Sequence, residues 1–449
     1  MGLALMAIVV LALLVVVHRY VWRRFVGDTT VAGSPLRRAG TVAAYVLPLL
    51  SVGALVSGRT GAPFWLQQVL AWPGYLWLAA LLYLTLALLV GEAVRPLLRR
   101  LLARRATATG VTATGATAVT AEGEAAAVRS TVPVSVPEAG HAGAIADAPD
   151  SDTRTTAPPA APPTVPPAGA PAAGSPSRRL FVARAVGGAA AVAGLGTVGY
   201  GTYGVLRGPR VKRVTIPLTR LPRSAHGFRI AVVSDIHLGP ILGRAHTQRI
   251  VDTINGTQPD LIAVVGDLVD GSVADLGPAA EPLARLQSRH GAFFVTGNHE
   301  YYSGAAQWVD HVRELGLHPL ENARVEIDGF DLAGVNDIGG ESEGQGPDFD
   351  RALGDRDRSR AAVLMAHQPV VIDEAVAHGV DLQLSGHTHG GQLWPGNYIA
   401  ELANPTVAGL DRYGDTQLYV TRGAGAWGPP VRVGAPSDVT VVELASEQA

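Results

Sequence analysis

Ile230-Ala231-Val232-Val233-Ser234-Asp235-Ile236-His237 joins an apolar, β-branched run to a carboxylate and an imidazole two residues apart. The same design recurs down the chain. Leu261-Ile262-Ala263-Val264-Val265 leads into Gly266-Asp267-Leu268-Val269-Asp270, and Phe293-Phe294-Val295 precedes Gly297-Asn298-His299-Glu300. Val363-Leu364-Met365 ends just before His367, and Leu382-Gln383-Leu384 ends just before Gly386-His387-Thr388-His389. Short apolar runs of this kind read as strands buried on both faces. Polar residues at the C-terminal ends of strands mark sites in α/β folds. The donors are the oxygen and nitrogen atoms of Asp, Asn and His, with no thiolate, because the chain has no cysteine. That set suits Mn, Fe or Zn in a hydrolytic pair better than a structural zinc cluster.

Between these runs, residues 244–254, 278–286, 305–315 and 370–377 have helix-like apolar spacing, and strands alternating with helices predict an α/β fold. Residues 324–327 and 330–335 read as a hairpin around Asp328-Gly329.

The chain has 449 residues, enough for two or three domains. Its net charge of -2 gives no nucleic-acid footprint, and without cysteine there are no disulfides. Residues 1–105 read as a membrane region of three helices, with apolar stretches at 3–17, 40–56 and 74–94, against the about 17–20 residues a spanning helix needs. Trp77 and Tyr83 suit a membrane–water interface. The first stretch lacks a basic start and a cleavage site, and Arg19, Arg23 and Arg24 follow it, which predicts an anchor rather than a signal peptide. Residues 106–176 are rich in Ala, Thr, Pro and Gly with few large apolar side chains, and predict a disordered linker. Within residues 177–210, Ser177-Arg178-Arg179-Leu180-Phe181-Val182 resembles a twin-arginine export signal, and the weakly apolar run after it reads as a fourth anchor. The arginine-rich loops at 19–38 and 95–105 belong in the cytoplasm by the positive-inside rule. A multi-pass protein of the cell membrane follows, with residues 211–449 on the extracytoplasmic face. Arg207, Arg210, Lys212 and Arg213 oppose that orientation, but long domains translocate largely regardless of charge.

From Asp235 to His389, the five motifs resemble the calcineurin-like metallophosphoesterases in order and rough spacing. The tail His389-Gly390-Gly391-Gln392, and Tyr419-Val420-Thr421-Arg422-Gly423 further on, resemble a membrane-associated branch with a GHTHGGQ motif. The resemblance covers the C-terminal half of the chain and implies an α-β-β-α sandwich of two mixed sheets. It implies a binuclear centre in which Asp267 bridges, Asp235, His237 and His389 complete one metal shell, and Asn298, His367 and His387 complete the other. Two divalent ions about 3.5–4 Å apart would hold a bridging hydroxide that attacks a phosphate ester or pyrophosphate. By the same resemblance His299 faces substrate and protonates the leaving group, with Asp270 orienting it; a turn cap is the alternative role for Asp270.

Glu300 is expected at the rim, and Gly390 and Gly391 where backbone nears a metal or substrate. Asn336-Asp337 reads equally as pocket lining or turn, and Arg422 as phosphate contact or ion pair. Residues 339–350 suggest a mobile cleft wall, and His226, His246, His290, His311, His318 and His378 surface or capping positions. The function that follows is a membrane-anchored, metal-dependent phosphoric ester hydrolase with no obligate protein partner evident. A membrane anchor suits a lipid-linked substrate; soluble or cell-wall phosphodiesters are the rival. A non-catalytic metal-binding scaffold is the alternative class, disfavoured because every ligand position is filled.

Overall fold

The computed structural model describes residues 2–114 and 178–448. It divides into two compact units, residues 96–181 and the remainder. In the first unit the described residues are the end of helix α3 (Phe64–Thr114) and the start of α4 (Arg178–Leu206). Helix α3 overruns the expected start of the linker at 106, because extending a formed helix adds one hydrogen bond per residue and alanine costs nothing there. The rest of the expected linker, from 115 on, lies outside the described residues.

The first apolar stretch forms α1 (Gly2–Trp22), and the second lies in α2 (Pro35–Ser57). Among the described residues, Pro35–Ser57, Phe64–Leu102 and Arg178–Leu206 are long and apolar enough to cross a membrane. Helix α2 starts before its apolar stretch because Ser34 Oγ accepts from Arg37 N at 3.2 Å and Pro35 pre-sets the first turn. Trp77 and Tyr83 both make hydrogen bonds within the protein. Trp77 Nε1 donates to His18 Nε2 at 3.0 Å, and the Tyr83 hydroxyl donates to Trp394 O at 2.9 Å. Ala79, Ala80, Tyr83 and Leu84 are buried with Val198 of α4 and Val431, and Leu393 and Val433 pack beside them. One face of α3 is therefore covered by the C-terminal domain.

That domain holds two six-stranded sheets. The first contains β1 (Arg210–Leu218), β2 (Phe228–Val233), β3 (Leu261–Val265), β4 (Ala292–Val295), β5 (His318–Pro319) and β12 (Asp438–Ser446), in the order β1-β12-β2-β3-β4-β5. The second contains β6 (Ala323–Ile327), β7 (Phe330–Gly334), β8 (Ala361–Met365), β9 (Leu382–Ser385), β10 (Gly409–Tyr413) and β11 (Thr416–Val420), in the order β10-β11-β9-β8-β7-β6. Both sheets are mixed. β12 runs antiparallel to β2 while β2, β3 and β4 are parallel, and β6 pairs antiparallel with β7 in the expected hairpin.

Side-chain alternation explains why the strands read as unbroken apolar runs. Ile230, Val232, Ala263, Val265, Val363 and Leu382 point into the layer between the sheets. Ala231, Val233, Ile262 and Val264 point outward, under α5 (Arg244–Gly256), α6 (Val273–Ala280) and α8 (Ala305–Glu314). Ala333, Leu364, Leu418 and Val420 line the corresponding outer layer of the second sheet. The result is the expected α-β-β-α sandwich. Helix α6 begins before its expected position because Ser272 caps it and Pro278 fits inside it.

Candidate metal centre

Each motif begins where its strand stops. β2, β3 and β4 deliver Asp235, Asp267 and Asn298 from one sheet; β8 and β9 deliver His367 and His387 from the other. The turns that follow are tight and left-handed. Asp235, His237, Asp267, His387 and His389 all have φ between 48° and 69°. Non-glycine residues adopt that region at a cost that surrounding structure must offset, and such residues cluster at functional sites. Close approach requires the motif glycines. A Cβ on Gly297 would overlap the Asp267 carboxylate, and one on Gly266 would lie 2.6 Å from His367 Nδ1.

The side chains converge in two groups. Asp235, His237 and His389 offer ligand atoms within 4.8 Å of one another, and so do Asp267, His367 and His387. His237 Nε2 and His389 Nε2 are 3.0 Å apart, and Asp235 Oδ1 is 3.3 Å from His389 Nε2. Asp267 Oδ2 lies 3.2 Å from His367 Nε2 in one group and 3.7 Å from His237 Nε2 in the other. A third group, His237, Asp270 and His299, adjoins them. Asp270 Oδ1 is 3.0 Å from His237 Nδ1 and 2.6 Å from His299 Nδ1, so one carboxylate holds both rings.

The electrostatics reflect this crowding. Burial works against charge on His237, but Asp270, Asp267 and Asp235 override it and raise the imidazole to about 9. Asp270 is partly desolvated, which works against its charge, yet His237 and His299 hold it down at about 2. Burial lowers His387 to about 4, helped by the neighbouring His367. Asn298 Oδ1 and His387 Nδ1 are buried with no hydrogen-bond partner among the described residues. Buried orphan donors and acceptors are rare unless an ion or ligand completes them. Oxygen and nitrogen donors, packed carboxylates and these orphans fit divalent cations taking the place of protons.

Some residues depart from the sequence reading, and others take one of the two roles it offered. Glu300 is fully buried. Its carboxylate accepts from Asp267 N at 2.9 Å, Leu268 N at 2.8 Å and Gly297 N at 2.6 Å, tying the second motif to the third. His246 is also buried rather than at the surface. Gly390 abuts Arg422, and Gly391 abuts Asn397, so both serve turns rather than the centre. Arg422 lies 3.9 Å from Asp438, an ion pair. Asp337 Oδ1 accepts from Gly339 N at 2.7 Å, which makes Asn336-Asp337 a turn.

Three neighbours of the centre carry no motif in the sequence. Arg432 is buried and its guanidinium donates to His389 O and to His389 Nδ1, both at 3.1 Å. Tyr302 and Trp427 set their rings edge-on to His299, at centroid distances of 5.5 and 5.7 Å. The start of the 339–350 loop packs on Asn298 and Tyr301. On the other side, Arg59, Pro63, Phe64, Gln67 and Tyr75 of the first hundred residues line one cleft with His237, Asp270 and His299.

A family profile described as calcineurin-like phosphoesterase matches residues 228–391. A "Transmembrane protein with metallophosphoesterase domain" from Danio rerio is 38% identical over 259 residues, covering 55% of this chain and 59% of that protein. An "Uncharacterized metallophosphoesterase" from Helicobacter pylori strain J99 is 37% identical over 56% of this chain and 68% of its own length. The "Uncharacterized metallophosphoesterase YkuE" of Bacillus subtilis is 30% identical over 60% of this chain and 98% of its own length. The match thus spans less than two thirds of the Danio rerio protein but nearly all of the Bacillus subtilis one. With its two sheets and clustered Asp and His side chains, the chain belongs to the calcineurin-like metallophosphoesterases.

Proposed function

We propose that this protein is a membrane-anchored two-metal phosphoesterase. Asp235, His237 and His389 would hold one ion and Asn298, His367 and His387 the other, with Asp267 placed to serve both. The observation that carries the reading is the pair of facing donor groups with Asp267 Oδ2 between them, beside the orphaned Asn298 Oδ1 and His387 Nδ1. When bound, divalent Mn, Fe or Zn ions supply positive charge to phosphoryl oxygens and lower the pKa of the attacking water. His299 stands outside both ligand groups, with its Nδ1 on Asp270. It gives a proton to the ester oxygen that leaves as the water oxygen bonds to phosphorus. Asp270 keeps the His299 and His237 rings in place. Tyr302 and Trp427 flank the His299 ring.

The chain works from the membrane, with residues 1–105 and 177–210 as anchors, the segment between them on the cytoplasmic side, and 211–449 as the catalytic domain on the extracytoplasmic face. The short α2–α3 connection lines the same cleft as His299, which supports that connection and the active site sharing one side. Loop charge assigns that side to the exterior. The test is metal analysis and hydrolysis of nitrophenyl phosphate mono- and diesters by full-length protein in detergent. About two ions per chain and metal-dependent turnover are expected. Protein that stays metal-free after reconstitution would sink the reading.

A further inference from the structure

The cleft over the candidate centre has a volume of about 930 Å³, far more than a phosphate group fills. Its floor is His237, Asp270 and His299. Its far wall is the end of α2 and the start of α3, where Ala54, Leu55, Phe64, Ala71 and Tyr75 are lining residues. The apolar side chains of that wall continue into a bare surface. Val52, Leu55 and Val56 on α2 are 57%, 42% and 45% exposed. An exposed face of that size on a helix long enough to cross a membrane belongs against acyl chains. Leu55 belongs to both surfaces, so the cleft opens from the metal-ligating residues directly onto a lipid-facing helix. Polar groups lie at the near end: Arg59 and Gln67 line the cleft beside the hairpin turn, where a phosphorylated head group arrives. The hairpin is fixed in place, since the Tyr75 hydroxyl donates to Ala54 O at 3.3 Å and Gly428 of the catalytic domain abuts the Tyr75 ring.

We infer that the substrate is a phosphate ester of a membrane lipid, with its head group at the His237–His299 end of the cleft and its acyl chain along the exposed face of α2. This rests on the phosphoesterase reading. A soluble ester needs neither the apolar wall nor its opening onto α2. Holding substrate and active site on one membrane raises the local concentration of substrate by orders of magnitude.

The test pairs each lipid with its own deacylated head group. Full-length protein, loaded with manganese, is given phosphatidic acid, phosphatidylglycerol or CDP-diacylglycerol in mixed micelles, and separately glycerol phosphate, glycerophosphoglycerol or CDP-glycerol. At least one lipid should be hydrolysed with kcat/KM about a hundredfold above its head group. Leu55→Trp, at a half-exposed position, should cut that lipid-to-head-group ratio by roughly tenfold by filling the cleft. A second readout needs no turnover: phosphatidic acid carrying a diazirine in its acyl chain should cross-link to the peptide covering residues 54–75, and unlabelled lipid should compete. Hydrolysis of nitrophenyl esters with no lipid preferred over its head group, or cross-linking confined to other helices, overturns the lipid inference alone. Metal-loaded protein that hydrolyses no ester of any kind overturns the phosphoesterase reading, and this inference with it.

Discussion

Asp267 faces both ligand groups. Its Oδ2 faces His367 and His237, and its Oδ1 accepts from His299 N at 2.9 Å. Asp267→Asn should therefore weaken both ions together, by about tenfold or more each, measurable as metal content against free metal concentration. Loss of one ion alone would show that Asp267 does not bridge. His299 differs because it lies outside both ligand groups. His299→Ala should keep its metal yet lose about 10²–10⁴ in turnover, the usual contribution of a positioned acid. A parallel loss of metal would make it a ligand instead. Glu300 has a structural task. Three backbone N–H groups converge on its carboxylate, and Glu300→Gln would turn an amide N–H₂ toward at least one of them. That mismatch should cost about 1–3 kcal/mol, seen as a fall of several degrees in the Tm of the metal-free protein. An unchanged Tm would refute the stapling role.

At the scale of elements, the ligands come from strand ends and their geometry from the turns that follow. Five ligand residues share left-handed backbone, so their positions depend on contacts made by neighbouring segments. Arg432 is one such contact, gripping His389 from the segment before β12, and that segment rests on α4. Arg432 N donates to Gly201 O at 3.3 Å, and a Cβ on Gly201 would lie 2.7 Å from Val431 and 2.8 Å from Arg432 O. Gly201→Ala should overpack this joint at a cost of about 1–3 kcal/mol. Faster limited proteolysis of the catalytic domain and a weaker metal site around His389 should appear together. Normal proteolysis and metal binding in the variant would show that α4 carries no support to the centre.

For the whole molecule, the question is which face of the membrane the centre serves. β1 starts at Arg210, four residues beyond the end of α4 at Leu206, so the catalytic domain cannot leave its anchor. If α4 delivers it outward, a membrane-impermeant label should reach the catalytic domain in intact cells. Full protection there would assign it to the cytoplasm. Arg178→Lys with Arg179→Lys should reduce labelling if the twin-arginine-like motif is the export route. Labelling unaffected by the double change would leave the topology intact and remove that route.

The five motifs, their strands and the two-sheet family fold were legible from one dimension, because ligand chemistry and strand burial are written in local patterns of a few residues. Asp235, His237, Asp267 and His387 needed only their place after an apolar run. Glu300, Arg432 and the cleft wall needed the folded chain. Glu300 looked like a solvent-facing carboxylate until the 266–268 turn brought its N–H groups to it. Arg432 lies 43 residues from the histidine it holds, with no motif around it. The α2–α3 hairpin reads as membrane helix and nothing more, yet it packs over a site encoded more than 150 residues later. Contacts between segments so distant along the chain depend on which surfaces pack together, and side-chain pattern within each segment carries no record of that choice.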